Sequence, residues 1–325
     1  MVPLTPLKSF MGFSVRSRIG ISAGLLPNSR WVLPYAERGF DILTYKTVRS
    51  VPRPSYPWPN WVFVEETRLP DGVVVATQTP SSDPSQISSS VCFGMPSVAP
   101  EEWRRDIRAT VSGLSTGQLL IVSVVGTPEA APSITALADD YAQCAAWAVE
   151  AGAPVIEANL SCPNVCSAEG TLYQDPEATR ILAQRLRRGI GKTPLLLKIG
   201  AFPSDEELRC FLRNVDGIAQ GVTLLNGISR PIVRPDGRPV FGEKFKVAGL
   251  LGRAIHEPSV ATVRAARRWV DADRLDLAVV AVGGVSSNQD FEDFFNSGAD
   301  GVLCGSSPMY LPNLAIDAKR AHPEW

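Results

Sequence analysis

Histidine is nearly absent: the 325 residues contain two, His256 and His322. That count excludes a histidine-rich metal centre, and a histidine-based triad would have to use one of this pair. Cysteine is sparse as well. Six in a chain of this length make no disulfide framework, and the one near pair, Cys162 and Cys166, has three residues between its members. Such spacing is neither a redox CxxC nor half of a usual zinc ribbon, so no metal site is expected. Net charge is almost nil, with 32 basic against 33 acidic residues. Without a global basic field, neither nucleic acid nor an anionic membrane is expected as the main partner. Long hydrophobic runs are missing too, since stretches such as 277–282 are far too short to span a bilayer. Residues 1–20 carry basic groups but no long apolar segment, so a secretory signal is not expected and a cytoplasmic location is.

What is present is an ordinary balance, 45% hydrophobic and 20% charged, able to bury a sizeable core without disulfides or metal. Short β-rich runs alternate with amphipathic stretches many times. The expected strands are 19–23, 40–47, 119–125, 155–160, 195–199, 222–225, 278–282 and 301–304. Helices are expected at 101–114, 134–151, 176–189, 205–214, 257–272, 288–297 and 311–321. Asp175-Pro176 reads as an N-cap and first-turn proline, and Asn288, ahead of Asp290, gives another helix start. Strands such as AVVAV, apolar throughout, fit a parallel sheet covered on both faces. Eight of them with crossover helices predict an α/β fold of the closed (β/α)8 TIM-barrel type, as one domain over residues 1–325. A doubly wound open sheet is the alternative.

Two insertions interrupt the alternation. Residues 48–99 are proline-rich and hold Trp58, Trp61 and a strand-like run with Asp71-Gly72 as a hairpin turn. Residues 227–247 read as a second β-ribbon turning at Asp236-Gly237. Both fall where strand-to-helix loops belong, at the C-terminal mouth where barrel enzymes build their sites, so they are expected to form a substrate lid. Plain surface decoration is the other reading.

Two signals carry chemistry. Near the end of the chain, strands run into Gly283-Gly284 and into Gly305-Ser306. Glycines there let backbone N–H groups approach a phosphate, and the loops after the last two strands are the usual phosphate site of barrels. Tight turns alone would also explain them. The second signal is Glu157-Ala158-Asn159-Leu160-Ser161-Cys162-Pro163-Asn164. Alternation sends Asn159 and Ser161 into the barrel mouth, and Cys162 follows on the loop with two carboxamides beside it. A thiol there can take or give a proton, while the amides can hold a ligand's ring N–H and C=O groups.

NLSCPN closely resembles the catalytic motif of the dihydroorotate dehydrogenase family, especially its soluble, cysteine-base class, and is similar to that of the dihydropyrimidine dehydrogenase flavin domain. GISAGLLPN (20–28), DILTYKTV (41–48), LLLKIG (195–200), LLNGISRP (224–231), VAGLLG (247–252), and AVGGV with GADGVLCGSS follow in the family's order. The resemblance implies an FMN-dependent oxidoreductase acting on a CH–CH bond: (S)-dihydroorotate is oxidised to orotate in pyrimidine biosynthesis. It implies that Ser22, Ala23 and Gly24 line the flavin ring, that Lys46 sits beside flavin and substrate, and that Lys198 reaches the ring's N1/O2 edge. Gly249, Gly283, Gly284, Gly305 and Ser306 would hold the FMN phosphate. Asn159, Asn164 and Asn226 would bind substrate, Asn159 also meeting the cofactor, and Cys162 would be the base, with Lys46 beside it in the catalytic set. A homodimer is expected, and an iron–sulfur/FAD partner subunit remains open.

Departures from the family pattern stand beside the matches. In the loop Val91-Cys92-Phe93-Gly94-Met95-Pro96-Ser97, with register anchored on Gly94 and Pro96, Val91 takes the place of a substrate-binding asparagine, Ser88 to Ser90 being the substitutes if the loop is longer. Gly227 takes that of a hydroxyl residue. Each lost contact to a buried heterocycle costs on the order of 1–3 kcal/mol. A less polar cyclic amide or enone is therefore a second possible substrate. A phosphate-binding aldolase or synthase barrel without flavin, using Lys198 as a Schiff base, is a third reading.

Overall fold

The computed structural model describes residues 2–127, 133–161 and 171–325. Its centre is a closed barrel of eight parallel strands: β3 (Ile19–Ile21), β4 (Ile42–Val48), β8 (Leu119–Val124), β9 (Val155–Asn159), β10 (Leu195–Lys198), β11 (Gly221–Leu224), β14 (Ala278–Val282) and β15 (Gly301–Cys304). Neighbours in the barrel are consecutive in the chain, and Val302↔Ile19 closes the ring between β15 and β3. Closure rules out the open sheet. Nearly every residue of these strands is buried because helices cover the outside while side chains fill the inside.

One helix follows each barrel strand: α1 (Ser29–Ala36), α2 (Pro100–Gly113), α3 (Ile134–Glu150), α4 (Pro176–Ile190), α5 (Asp205–Val215), α6 (His256–Asp273), α7 (Asn288–Asn296) and α8 (Leu314–Ala321). The Asp175 cap is present, its carboxylate accepting from the N–H groups of Glu177 and Ala178 at 3.0 Å. At α7 the cap is Ser287, one residue earlier than the sequence suggests. The other end of the barrel is stoppered by a hairpin of β1 (Lys8–Phe10) and β2 (Phe13–Val15), whose Phe10 and Val15 pack with Ile42, Ile121, Val155 and Leu196 inside the ring.

The two insertions form one body. The first contributes β5 (Trp61–Val64), β6 (Val74–Thr77) and β7 (Ser88–Val91); the second contributes β12 (Ile228–Val233) and β13 (Val247–Gly252). They close into a second, five-stranded barrel in the order β12-β13-β7-β5-β6, with β6 and β12 pairing in parallel through Ile232↔Val74. The anticipated turn at Asp236-Gly237 is there, Gly237 donating to the Arg234 carbonyl at 2.9 Å with φ +82°. It lies within the longer connection 234–246 that joins the antiparallel strands β12 and β13, paired in the register Ile228↔Leu250, and it folds Val233 back onto Pro239. Asp71-Gly72 is not a two-residue hairpin: β5 and β6 pair antiparallel across the longer connection 65–73. VAGLLG is the last strand of this insertion barrel.

Candidate active site

A cavity of about 460 Å3 opens at the C-terminal ends of the large barrel's strands, within the ~300–1,000 Å3 typical of small-molecule sites. Its walls come from both barrels. Ser22, Ala23 and Gly24 follow β3, Lys46 lies in β4, Asn159 ends β9, Lys198 ends β10, and Asn226 follows β11. Trp61, Val91, Phe93, Met95 and Leu251 come from the insertions. The space is therefore lined by polar groups on the strand ends and by mainly apolar ones on the insertion side, where Ser89 of β7 adds a buried hydroxyl with no partner among the described residues.

Alternation sets which residues look inward. Val155 and Leu196 fill the ring, so Glu157 and Lys198, two positions on, share that face, with Asn159 above Glu157. Lys198 is only 4% exposed, and the one hydrogen bond it makes to a described residue is a 3.5 Å contact with the Ala23 carbonyl. A buried ammonium so sparsely engaged is available to an electron-rich group in the cavity. Lys46 carries its ammonium 5.5 Å above the Phe93 ring. Asn159 accepts from the Ser161 N–H at 3.3 Å and touches the Met95 sulfur at 3.5 Å. Asn226 donates to the Ser161 carbonyl, tying β11 to the start of the segment that leads to Cys162. Glu157 is fully buried, and neither carboxylate oxygen has a partner among the described residues.

At the other end of the cavity, Gly283, Gly284, Val285, Gly305 and Ser306 line the wall, and the N–H groups of Gly284, Val285, Gly305 and Ser306 donate to no described residue. A Cβ at Gly305 would meet nothing within 4 Å. At Gly284, with φ +67°, it would lie 2.5 Å from the Gly252 carbonyl, and at Gly283 2.1 Å from the Ser259 hydroxyl. His256 supports the turn, with Nδ1 3.1 Å from the Gly283 carbonyl and Nε2 3.0 Å from Asp293. Arg253 also lines the cavity and pairs with buried Asp290 at 2.7 Å. Burial pushes the Tyr310 hydroxyl at this wall up to about 12, so it remains a neutral donor near pH 7.

A profile of the family described as Dihydroorotate dehydrogenase matches residues 99–317. Dihydroorotate dehydrogenase of Dictyostelium discoideum is 31% identical over 320 residues, covering 94% of this chain and 85% of its relative. The chain belongs to the dihydroorotate dehydrogenase family. The catalytic subunit of dihydroorotate dehydrogenase B (NAD(+)) from Desulforudis audaxviator is 24% identical over 94% of this chain and 87% of its own length. The crystal structure of DHODH from Eimeria tenella in complex with ferulenol superposes with a TM-score of 0.74 at 18% identity, covering 96% of this chain and 82% of the other, which shows a shared fold. Membership makes this chain an oxidoreductase of the flavin-using, CH–CH-acting kind, and the aldolase reading falls away.

The residues fit such a cofactor. Free N–H groups around an unobstructed Gly305 suit a phosphate, and the buried Lys198 ammonium suits the electron-rich edge of a flavin ring. Of the residues singled out from sequence, the structure gathers Ser22, Ala23, Gly24, Lys46, Asn159, Lys198, Asn226, Gly283, Gly284, Gly305 and Ser306 around one space. Gly249 is not on its wall: it sits in β13, paired with Ser229 and Val91, and Gly252 lines the cavity instead. Cys162, Asn164 and Cys166 lie outside the described residues. Sequence reasoning missed Arg253 and Phe93 as wall residues; Arg253, next to the glycine of VAGLLG, was the findable one.

Proposed function

We propose that this chain is an FMN-dependent dihydroorotate dehydrogenase that oxidises (S)-dihydroorotate to orotate, with Cys162 as the base. The observation that carries the reading is the cavity itself, where Lys46, Lys198 and Asn159 face the same space as the unpaired N–H groups beside Gly284 and Gly305. Bound FMN would supply the hydride acceptor. Lys198, buried at the end of β10, would lie against the electron-rich edge of the ring. Asn159 and Asn226, with Asn164, orient the substrate's amide and carbonyl groups. Cys162 takes the proton from the carbon next to a carbonyl. The buried cysteines are poor rivals for that role, since burial pushes the Cys144 and Cys304 thiols well above their usual range. In this reading the chain is one domain whose insertion barrel serves as the lid, and it works in the cytoplasm as a homodimer, with or without an iron–sulfur/FAD partner. No helix among the described residues is long and apolar enough to cross a membrane.

A second substrate reading has its own support. Val91 is on the cavity wall, and a Cβ at Gly227 would lie 2.8 Å from the Leu251 side chain, leaving no space for a hydroxyl residue there unless Leu251 moves. Both favour a less polar cyclic amide or enone. Anaerobic mixing of the FMN-loaded protein with dihydroorotate decides between them. Rapid bleaching of the flavin band supports orotate formation. Slow bleaching that Val91→Asn accelerates supports the less polar substrate.

A further inference from the structure

The two glycine turns account for a phosphate held by backbone N–H groups, but they leave its charge without a cation. The loop that precedes α6 brings one to the same wall. Gly252 and Arg253 line the cavity together with Gly283, Gly284, Val285 and Ser286. The two loops touch: the Gly252 carbonyl is what a Cβ on Gly284 would strike at 2.5 Å. Arg253 is fixed in place from one side only. Its Nη1 donates to Asp290 Oδ1 at 2.7 Å, while Nε and Nη2 donate to no described residue. Asp290 is a rigid anchor, because its other oxygen accepts from the Ser286 N–H at 2.9 Å and the Ser286 hydroxyl at 3.1 Å. One carboxylate therefore holds both the arginine and the end of the glycine loop, and the side chain it steadies is a quarter exposed.

We propose that Arg253 is a ligand of the cofactor's phosphate, its free guanidinium N–H groups supplying the countercharge that the glycine turns lack. This rests on the FMN reading. A planar fork with one arm pinned by a buried carboxylate loses little side-chain entropy when the rest engages a phosphate, which suits arginine better than lysine. Asp290 is then a positioning residue.

The test compares flavins with and without the phosphate. Flavin-stripped full-length protein is titrated with FMN and with riboflavin, and binding is read from quenching of flavin fluorescence. Arg253→Gln should weaken FMN binding by about ten- to a hundredfold, the worth of a charge-assisted hydrogen bond or two. Riboflavin binding should stay within about twofold. Arg253→Lys should recover part of the loss, and Asp290→Asn should resemble a milder Arg253→Gln. Equal losses for both flavins, or no loss for FMN, overturn the proposal. A wild-type chain that binds FMN no more tightly than riboflavin overturns the phosphate site as a whole. If wild type binds neither, the cofactor reading fails and takes the proposal with it.

Discussion

Gly284 and Gly305 lie on the same wall yet lack a side chain for different reasons, and alanine at each should separate them. At Gly305 the new methyl meets no protein atom within 4 Å, so the fold has nothing to repel it. It would stand in the space beside the free N–H groups, displacing a phosphate from one or more of them. Each such charge-assisted bond is worth about 1.5–3 kcal/mol, so FMN affinity should fall by roughly 10–150-fold. Thermal stability of the flavin-free protein should stay within about 0.5 kcal/mol of wild type. At Gly284 the order reverses. A φ of +67° costs a non-glycine residue about 1–2 kcal/mol, and the 2.5 Å approach to the Gly252 carbonyl adds to it. Gly284→Ala should therefore unfold several degrees earlier even without flavin. Thermal melts of stripped protein and fluorescence titrations with FMN measure both effects. Should Gly305→Ala keep full FMN affinity, the phosphate is not held at that turn.

Cys162→Ala should retain FMN yet slow flavin reduction by about 10²–10⁴-fold in stopped-flow assays, whereas Cys166→Ala should stay near normal; the opposite result withdraws Cys162 as the base. Asp41 and Lys319 form an ion pair at 2.5 Å with both side chains almost fully buried, so Asp41→Asn strands a buried ammonium and should cost about 3–5 kcal/mol in urea denaturation. Asp41→Asn combined with Lys319→Met should regain most of that, and a single variant as stable as wild type would refute the argument. The Arg209 and Arg213 guanidinium groups hold Asp273 far below the usual carboxylate range, clasping α5 to α6. Its folded pKa lies beneath its unfolded one, so the clasp's contribution is complete above about pH 5 and drains away as pH falls toward the depressed value. The stability gap between wild type and Asp273→Asn should accordingly shrink steadily below pH 4, and a gap undiminished at pH 2 would contradict it.

The eight barrel strands were legible because each is a short apolar run between glycines or helix caps, a pattern set by burial on both faces. Helix α1 was not, since Pro34 lies inside it and breaks the usual signal. The β1–β2 hairpin hid for a related reason: its turn needs positive φ at both central residues, and Met11, with φ +49°, is an unusual occupant of such a position. Within the site, the polar residues on strand ends could be read because alternation fixes their direction. Register across the insertions could not, since β7 pairs with β13 from a segment some 160 residues away, as in Ser90↔Leu250. That long-range pairing put Gly252 and Arg253, not Gly249, on the wall. Glu157 stood in plain view inside an apolar strand, but nothing local says that its carboxylate has no partner.

The closure of the five-stranded barrel has a consequence for how this enzyme could be altered. Neither insertion completes a sheet alone: β7 lies between β5 from its own insertion and β13 from the other, and the ring shuts only where β6 meets β12. Grafting one insertion from a relative would leave unpaired edges on both. The smallest exchangeable part is the pair, taken together from a single donor. Two loops widely separated in the gene must therefore change in step, and a recombination point between them would break the insertion side of the cavity wall.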